Sequence, residues 1–201
     1  MADLITLQNY KDFQGLSGVQ QDARINVIID SVSQLVKNYC GTNLVDHYSS
    51  AKTEYFDIKD ARTTRVMLGE GPIRAVTSVQ ERESQADTYV TLIKENSDSS
   101  GKYEYTVDDL TDSIIRTNEN VDKAFPRGRK AVKVVYTAGY SATPDDLKLA
   151  CYDLVKYYLK DESRERMTIA GATVENPGSA SNSGGFPDHI KRVLDMYKVY
   201  S

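Results

Sequence analysis

Histidine and cysteine are scarce in this chain. Of its 201 residues, two are histidine, His47 and His189, and two are cysteine, Cys40 and Cys151. A structural zinc site needs four ligands that the fold brings together, and so few residues at such wide spacing do not form its usual ligand pairs. We therefore expect reduced thiols in a reducing compartment, with no metal and no cofactor.

Long apolar runs are also missing. The longest are about three residues, as in 27–29, and the first residues carry neither a basic leader nor an apolar signal core. We therefore expect no membrane association and no secretion by that route. With 29 acidic and 25 basic residues the formal net charge is −4, which disfavours coating of nucleic acid or of an anionic membrane.

Catalytic motifs are not found either. The sequence has no P-loop lysine motif, no nucleophile elbow and no zinc-binding pair of helical histidines. Residues 69–74 superficially resemble a glycine-rich phosphate loop, but no third glycine follows, and a plain turn is the better interpretation. A hydrolase that uses Asp57, Asp60 or Glu70 stays a weak alternative because no partner residue is identifiable. We expect a protein that is not an enzyme.

Helical periodicity is clear at both ends of the chain. Apolar residues at spacings of three and four predict one helix from Asp22 to Gly41 and another after Thr143, which we expect to be the N-cap, through Leu159. Shorter helices are predicted from Thr6 to Gly15 and around residues 188–198. Because each long helix has one apolar face, we expect the two to pair.

The middle of the chain has a β pattern. Seven short segments rich in β-branched and aromatic residues lie at 54–58, 64–68, 75–80, 89–93, 103–107, 114–117 and 132–137. Turn residues between them favour hairpins of successive strands. We predict an α+β fold: a helical bundle core of two long helices plus shorter terminal helices (1–42 and 139–201), with an inserted antiparallel β sandwich or small barrel (43–138).

Three segments are candidates for interactions. Gly, Pro, Ser and Asn make up 11 of the 17 residues 171–187, so residues 164–187 are expected to form a flexible arm that orders on a partner. Residues 81–112 hold nine acidic and three basic side chains, a charge that suits either a solvated face or a wall past which DNA slides without binding. A basic cluster, which we expect at a hairpin, comprises Arg127, Arg129, Lys130 and Lys133.

A sequence motif connects the β segment to the second long helix. The predicted strand ends in the residues Tyr136, Ala138, Gly139 and Tyr140. The helix that follows begins with Pro144, Leu147, Lys148 and Ala150. This arrangement resembles the head-to-tail connector proteins of tailed bacteriophages, also called adaptor or head-completion proteins. Residues 5–7, 39–41 and 72–79 are similar to the earlier half of that family.

The resemblance implies a structural virion protein. Such a protein joins the portal vertex after DNA packaging, forms a twelvefold ring with copies of itself, carries the next tail or stopper protein, and lets DNA pass without sequence-specific binding. It implies assembly in the host cytoplasm and a final place in the virion neck, between capsid and tail.

The candidate residues follow from this role. For docking of the arm on the portal they are Arg164, Arg166, Met167, Ile169, Val174 and Phe186. For contacts between subunits they are Tyr152, Tyr157, Arg127, Arg129 and Lys130. For an acidic surface facing the channel or the tail they are Glu81, Glu83, Asp108, Asp109 and Asp112.

Other roles remain open from the sequence. A neck stopper or tail-completion protein shares most of these predictions. A soluble β-type module that binds a carbohydrate or peptide, with the helices as a frame, is a more distant alternative.

Overall fold

The computed structural model describes residues 2–95, 103–119, 121–160 and 186–199. The chain divides into two compact units, Met1–Thr42 with Ala142–Ser201, and Asn43–Ser141. The second unit extends beyond the expected boundary at residue 138. The reason lies in its backbone, because the Gly139 N–H donates to Pro72 O at 2.9 Å and the Tyr140 N–H donates to Leu44 O at 2.8 Å.

The first unit is helical. Its helices are α1 (Leu7–Gln14), α2 (Asp22–Cys40), α3 (Asp145–Leu159) and α4 (Asp188–Met196). The predicted ends of the first two helices are confirmed. The Thr6 side chain accepts from the Asn9 N–H at the start of α1, and Gly15 and Gly41 end α1 and α2 with φ of 67° and 71°. Only glycine takes this left-handed conformation without cost.

The start of α3 differs from the prediction. Thr143 does not cap the helix, because Pro144 occupies the N-cap position and the Thr143 hydroxyl donates to Leu4 O at 2.6 Å. The aspartates in the first turn, Asp145 and Asp146, do lie where the positive end of the helix dipole favours them. Thr143 is buried and connects the start of α3 to the N-terminal segment of its own unit.

The helical core is built by the predicted apolar stripes. On α2 the buried positions include Ile25, Ile29, Val32 and Val36, while Leu35 is 37% exposed. The buried face of α3 consists of Leu147, Ala150, Cys151, Leu154 and Val155. The buried face of α4 includes Ile190 and Leu194. Helix α2 contacts α1, α3 and α4, so it is the central helix of the unit.

The described residues of the second unit form eight strands. They are β1 (Lys52–Ile58), β2 (Arg65–Met67), β3 (Ile73–Glu81), β4 (Val90–Thr91), β5 (Tyr105–Asp108), β6 (Ser113–Asn118), β7 (Val121–Asp122) and β8 (Gly128–Ala138). One sheet has the order β1-β8-β3-β4, and the other has the order β2-β6-β5 with β7 paired to β6. All these pairs of named strands are antiparallel.

The expectation of hairpins between successive strands is wrong for part of this unit. Strand β1 pairs with β8, and β2 pairs with β6, both over long sequence separations. The turn at residues 69–72 forms no hairpin, because it takes the chain from β2 in one sheet to β3 in the other. Successive strands pair only at β3–β4, β5–β6 and β6–β7 among the described residues.

Side chains of both sheets contribute to one hydrophobic core. Val132 and Tyr136 of β8, Val79 of β3 and Ile114 of β6 are completely buried in it. The α+β class with antiparallel sheets is thus confirmed. The bundle of two long helices and the sandwich or small barrel stay predictions.

Candidate functional site

The strand-ending motif organises a buried polar network. The Tyr136 hydroxyl donates to Glu54 Oε2 at 2.9 Å and accepts from the Glu70 N–H at 3.2 Å. Burial, followed by the nearby Glu54 carboxylate, raises the pKa of Tyr136 above its usual value. The hydroxyl therefore stays protonated and acts as a permanent hydrogen-bond donor inside the unit.

Glu70 is part of the same network and is only 3% exposed. Its Oε1 accepts from Asn43 Nδ2 at 2.7 Å and from Lys52 Nζ at 3.0 Å, and its Oε2 accepts from the Asn43 N–H at 2.8 Å. Both oxygens are thus occupied by structural partners. Glu70, one of the three carboxylates considered for a hydrolase, thus fixes the turn before β3.

The end of β8 is fixed equally tightly. Gly139 has a φ of 93°, and a Cβ atom placed on it would lie 2.1 Å from Leu44 O. Only glycine fits so close to another backbone segment. The residues by which the motif is recognised, Tyr136 and Gly139, therefore have structural roles within the β unit.

Of the five acidic candidates, Glu81 has a structural partner. Its carboxylate accepts two hydrogen bonds of 2.9 Å from the Arg116 guanidinium, which is nearly completely buried. Arg116 Nη1 also donates to Glu104 O at 2.7 Å and to Thr117 O at 2.6 Å. Because Glu81 neutralises a buried cation, we remove it from the set of channel-facing acids.

Two further candidates hold turns together. Asp108 accepts from Arg65 Nη1 at 3.0 Å, and hydrogen bonds from Thr111 and Leu110 hold its pKa below the usual range. Asp112 Oδ1 accepts from the Ile73 N–H at 2.7 Å. The remaining two, Glu83 and Asp109, are exposed. Three of the five acidic candidates are therefore structural carboxylates.

Two lysines of the basic cluster, at the start of β8 where no hairpin forms, lie over tyrosine rings. Arg127, Arg129 and Lys130 are exposed. Lys130 Nζ lies 5.4 Å from the Tyr55 ring centroid, and Lys133 Nζ lies 5.8 Å from that of Tyr89. A cation over an aromatic face is attracted by the electrons of the ring. Sequence reasoning missed Tyr55 and Tyr89, because neither is close in sequence to the cluster.

The candidate contacts on the helical unit pack partly within it. Tyr152 stacks on Phe13 with ring centroids 4.7 Å apart, and Tyr157 meets Tyr158 edge-on at 5.5 Å. Both candidates are half-buried. Phe186 is only 6% exposed and meets the Tyr39 ring at 5.0 Å, so burial removes it from the docking candidates. Arg164, Arg166, Met167, Ile169 and Val174 lie outside the described residues.

The two cysteines are buried thiols. Burial raises the pKa of Cys40 to about 11 and that of Cys151 to about 12, so both stay protonated near neutral pH. Within the part of the chain that the structure describes, no group of three or more His, Cys, Asp or Glu side chains could hold a metal ion. No helix in those ranges is long and apolar enough to cross a membrane.

Comparison with known proteins assigns the family. The family model described as "Head completion protein" matches residues 3–200. The chain therefore belongs to the head completion protein family, which agrees with the resemblance found in the sequence. It is 24% identical over 196 residues to the head completion protein of Escherichia phage T5, which covers 97% of this chain and 98% of that protein.

Solved structures share the fold. The neck of an empty gene transfer agent (GTA) particle, computed with C6 symmetry, contains a chain with a TM-score of 0.56 and 15% identity, over 98% of this chain and 91% of that one. The neck of a native GTA particle, computed with C12 symmetry, contains one with a TM-score of 0.56 and 12% identity, over 100% and 95%.

Membership of the family gives the role in general terms. This chain is a structural protein of the connection between head and tail in a phage-like particle. The head completion family is a family of structural virion proteins and not of enzymes.

Proposed function

We propose that this protein forms a twelvefold ring on the portal vertex after DNA packaging. The ring carries the next tail or stopper protein and lets DNA pass without sequence-specific contacts. The family match over residues 3–200 carries this proposal. The fold shared with chains of GTA necks, one of them computed with C12 symmetry, supports the ring. Assembly takes place in the host cytoplasm, and the finished ring lies in the virion neck.

In a ring, each copy contacts the next through a head-to-tail interface, so two different patches of each copy take part. The ring closes because successive copies are related by a constant rotation. We assign Arg127, Arg129 and Lys130 to one side of this interface. Tyr152 and Tyr157 belong to a second contact area on the helical unit. Of the acidic candidates, only Glu83 and Asp109 stay assigned to a surface that faces the channel or the tail.

The portal contact is assigned to the arm. A segment rich in glycine and serine buries little apolar surface alone and can order against a partner. The side chains assigned to this contact are those of Arg164, Arg166, Met167, Ile169 and Val174. Phe186 is not among them because it is buried against Tyr39.

Light scattering with and without the portal protein tests both proposals. We expect the full chain to bind the portal as about twelve copies per portal ring. A variant that lacks residues 172–185 is expected to keep its helical and β spectrum but to lose most portal binding. Unchanged binding by the shortened variant would overturn the docking role of the arm. A full chain that stays monomeric and ignores the portal would overturn the ring and favour a stopper or a ligand-binding module.

A further inference from the structure

Leu110 is a solvent-exposed residue at the tip of the β5–β6 hairpin. Its side chain is 97% exposed, the highest exposure among the large hydrophobic residues described. Its N–H donates to Asp108 Oδ1 at 3.1 Å, and Asp108 Oδ2 accepts from the Thr111 hydroxyl at 2.7 Å. The turn is therefore preorganised, and a partner that covers Leu110 gains apolar burial at small entropic cost.

Acidic residues flank this leucine in the sequence. Asp109 is exposed beside it, and Asp108 and Asp112 stand on either side of the turn. The Asp108 charge is partly balanced by Arg65 Nη1 at 3.0 Å. We call residues 108–112 the acidic tip. Its chemistry is an apolar anchor with a negative rim, which fits an apolar surface with a positive rim.

A partly exposed surface formed by the first sheet and the loop between β3 and β4 has the complementary chemistry. We call Tyr55, Tyr89, Arg82, Lys130 and Lys133 the tyrosine–cation face. The two rings lie 6.3 Å apart, and Tyr55 is 48% exposed. Arg82 lies 4.7 Å above the Tyr89 ring centroid.

The fold fixes this face in position. The Tyr89 hydroxyl donates to Lys130 O at 2.7 Å, and Arg82 Nε donates to the same oxygen at 3.2 Å. Asp57, an acidic side chain at its edge, accepts from the Lys130 N–H at 2.7 Å. The lysine ammonium groups above the rings thus supply positive charge around an aromatic surface, with Arg127 and Arg129 exposed nearby in the sequence.

We propose that the acidic tip of one copy docks on the tyrosine–cation face of the next copy. This inference rests on the ring of the proposed function and gives that ring its interface. Leu110 covers the Tyr55 ring, and Asp109 pairs with Lys130. Asp109 thereby leaves the set of acidic residues assigned to the channel or the tail, and Glu83 alone stays in that set. The two patches lie on different sheets of the β unit, so the contact is of the head-to-tail type that a ring requires. A DNA backbone would satisfy the lysines but would leave Leu110 uncovered.

Cross-linking of engineered cysteines tests the contact. A full-length variant with Leu110→Cys and Thr53→Cys is assembled on the portal protein and treated with a short bis-maleimide. Thr53 is an exposed residue two positions from Tyr55 on β1, so the Tyr55 ring stays in place. We expect a ladder of dimers, trimers and larger species in denaturing gels. Cys40 and Cys151 are buried with raised pKa values, so they do not react in the folded protein. The single variants are controls for chance reactions and are expected to give dimers at most.

A second pair of cysteines controls for position. Val121 is 69% exposed in the same β unit, so Val121→Cys with Thr53→Cys has an accessible thiol at a different position. This pair is expected to give no ladder. The inference is wrong if the portal carries a full ring and the Leu110 pair gives no more cross-linking than the Val121 pair. The proposed function is unaffected by that result. If the wild-type chain forms no ring, both fall.

Charge reversal provides an independent measurement. We measure the concentration of the protein at which half of the portal sites are occupied. Asp109→Lys and Lys130→Glu are each expected to raise this concentration at least threefold. An equal mixture of the two variants is expected to restore wild-type assembly, because alternating copies place each reversed group opposite its complement. A mixture no better than the single variants would overturn the pairing. So would a Lys130→Glu variant that assembles normally and loses only its binding to a double-stranded DNA fragment.

Discussion

At the scale of single residues, the acidic stretch shows how one residue type serves two purposes. Glu81 and Glu83 are two positions apart in the sequence. Of these two, only Glu81 forms an ion pair with the buried Arg116 guanidinium. Arg116 has 2% of its side chain exposed and Glu81 has 15%. Glu83 is exposed. Their contributions to stability should therefore differ widely.

We predict that Glu81→Ala lowers the free energy of unfolding by about 3 kcal/mol. The substitution removes both hydrogen-bonded carboxylate oxygens from the buried Arg116 and leaves it only the Glu104 carboxylate, 3.7 Å away. Glu83→Ala is the matched control and should change that free energy by less than about 0.5 kcal/mol. Urea denaturation followed by circular dichroism measures both. Equal effects of the two substitutions would show that the Glu81–Arg116 pair does not stabilise the β unit.

This difference between the two glutamates could not be predicted from the sequence. A strand was predicted at residues 75–80, but the partner of Glu81 lies on β6, 35 residues further along. A net charge counted over residues 81–112 cannot distinguish paired carboxylates from solvated ones. Leu110, by contrast, did leave a signal, since it is an apolar residue inside an acidic turn.

At the scale of secondary structure elements, local patterns predicted well and pairings did not. Helix α2 was predicted to its ends because apolar spacing and Gly41 are local signals. Strand β8 was found from its β-branched residues, but its position between β1 and β3 depends on contacts far apart in sequence. The turn at residues 69–72 has the composition of a hairpin, and only the sheets show that it is a crossover.

The exit from β8 gives a prediction at this scale. We expect Gly139→Ala to destabilise the protein by at least about 2 kcal/mol, because the new methyl group meets Leu44 O and the φ of 93° is strained for alanine. Gly128→Ala, at the other end of the same strand, meets only Ala131 Cβ at 3.7 Å and should be tolerated. Thermal unfolding compares the two. If both variants melt like the wild type, the close approach of Gly139 to Leu44 has no energetic weight.

At the scale of the whole molecule, the β unit has the features of an inserted domain. Its first and last strands, β1 and β8, are antiparallel neighbours, with Lys52 opposite Tyr136. The chain therefore enters and leaves the unit along one pair of strands, an arrangement that tolerates insertion into another unit. The unit also has a core and a buried polar network of its own.

From this we predict that residues 43–141, expressed alone, fold into a stable domain. The Glu70 partners Asn43, Lys52 and Tyr136 lie within this segment, as does the Arg116–Glu81 pair. The segment should give a β-type circular dichroism spectrum and a single cooperative urea transition. Glu81→Ala should destabilise it by the same ~3 kcal/mol as in the full chain, because the ion pair is internal to the unit. A segment that is unfolded, or that unfolds without cooperativity, would mean that its core is too small to be stable without the helical residues of the chain.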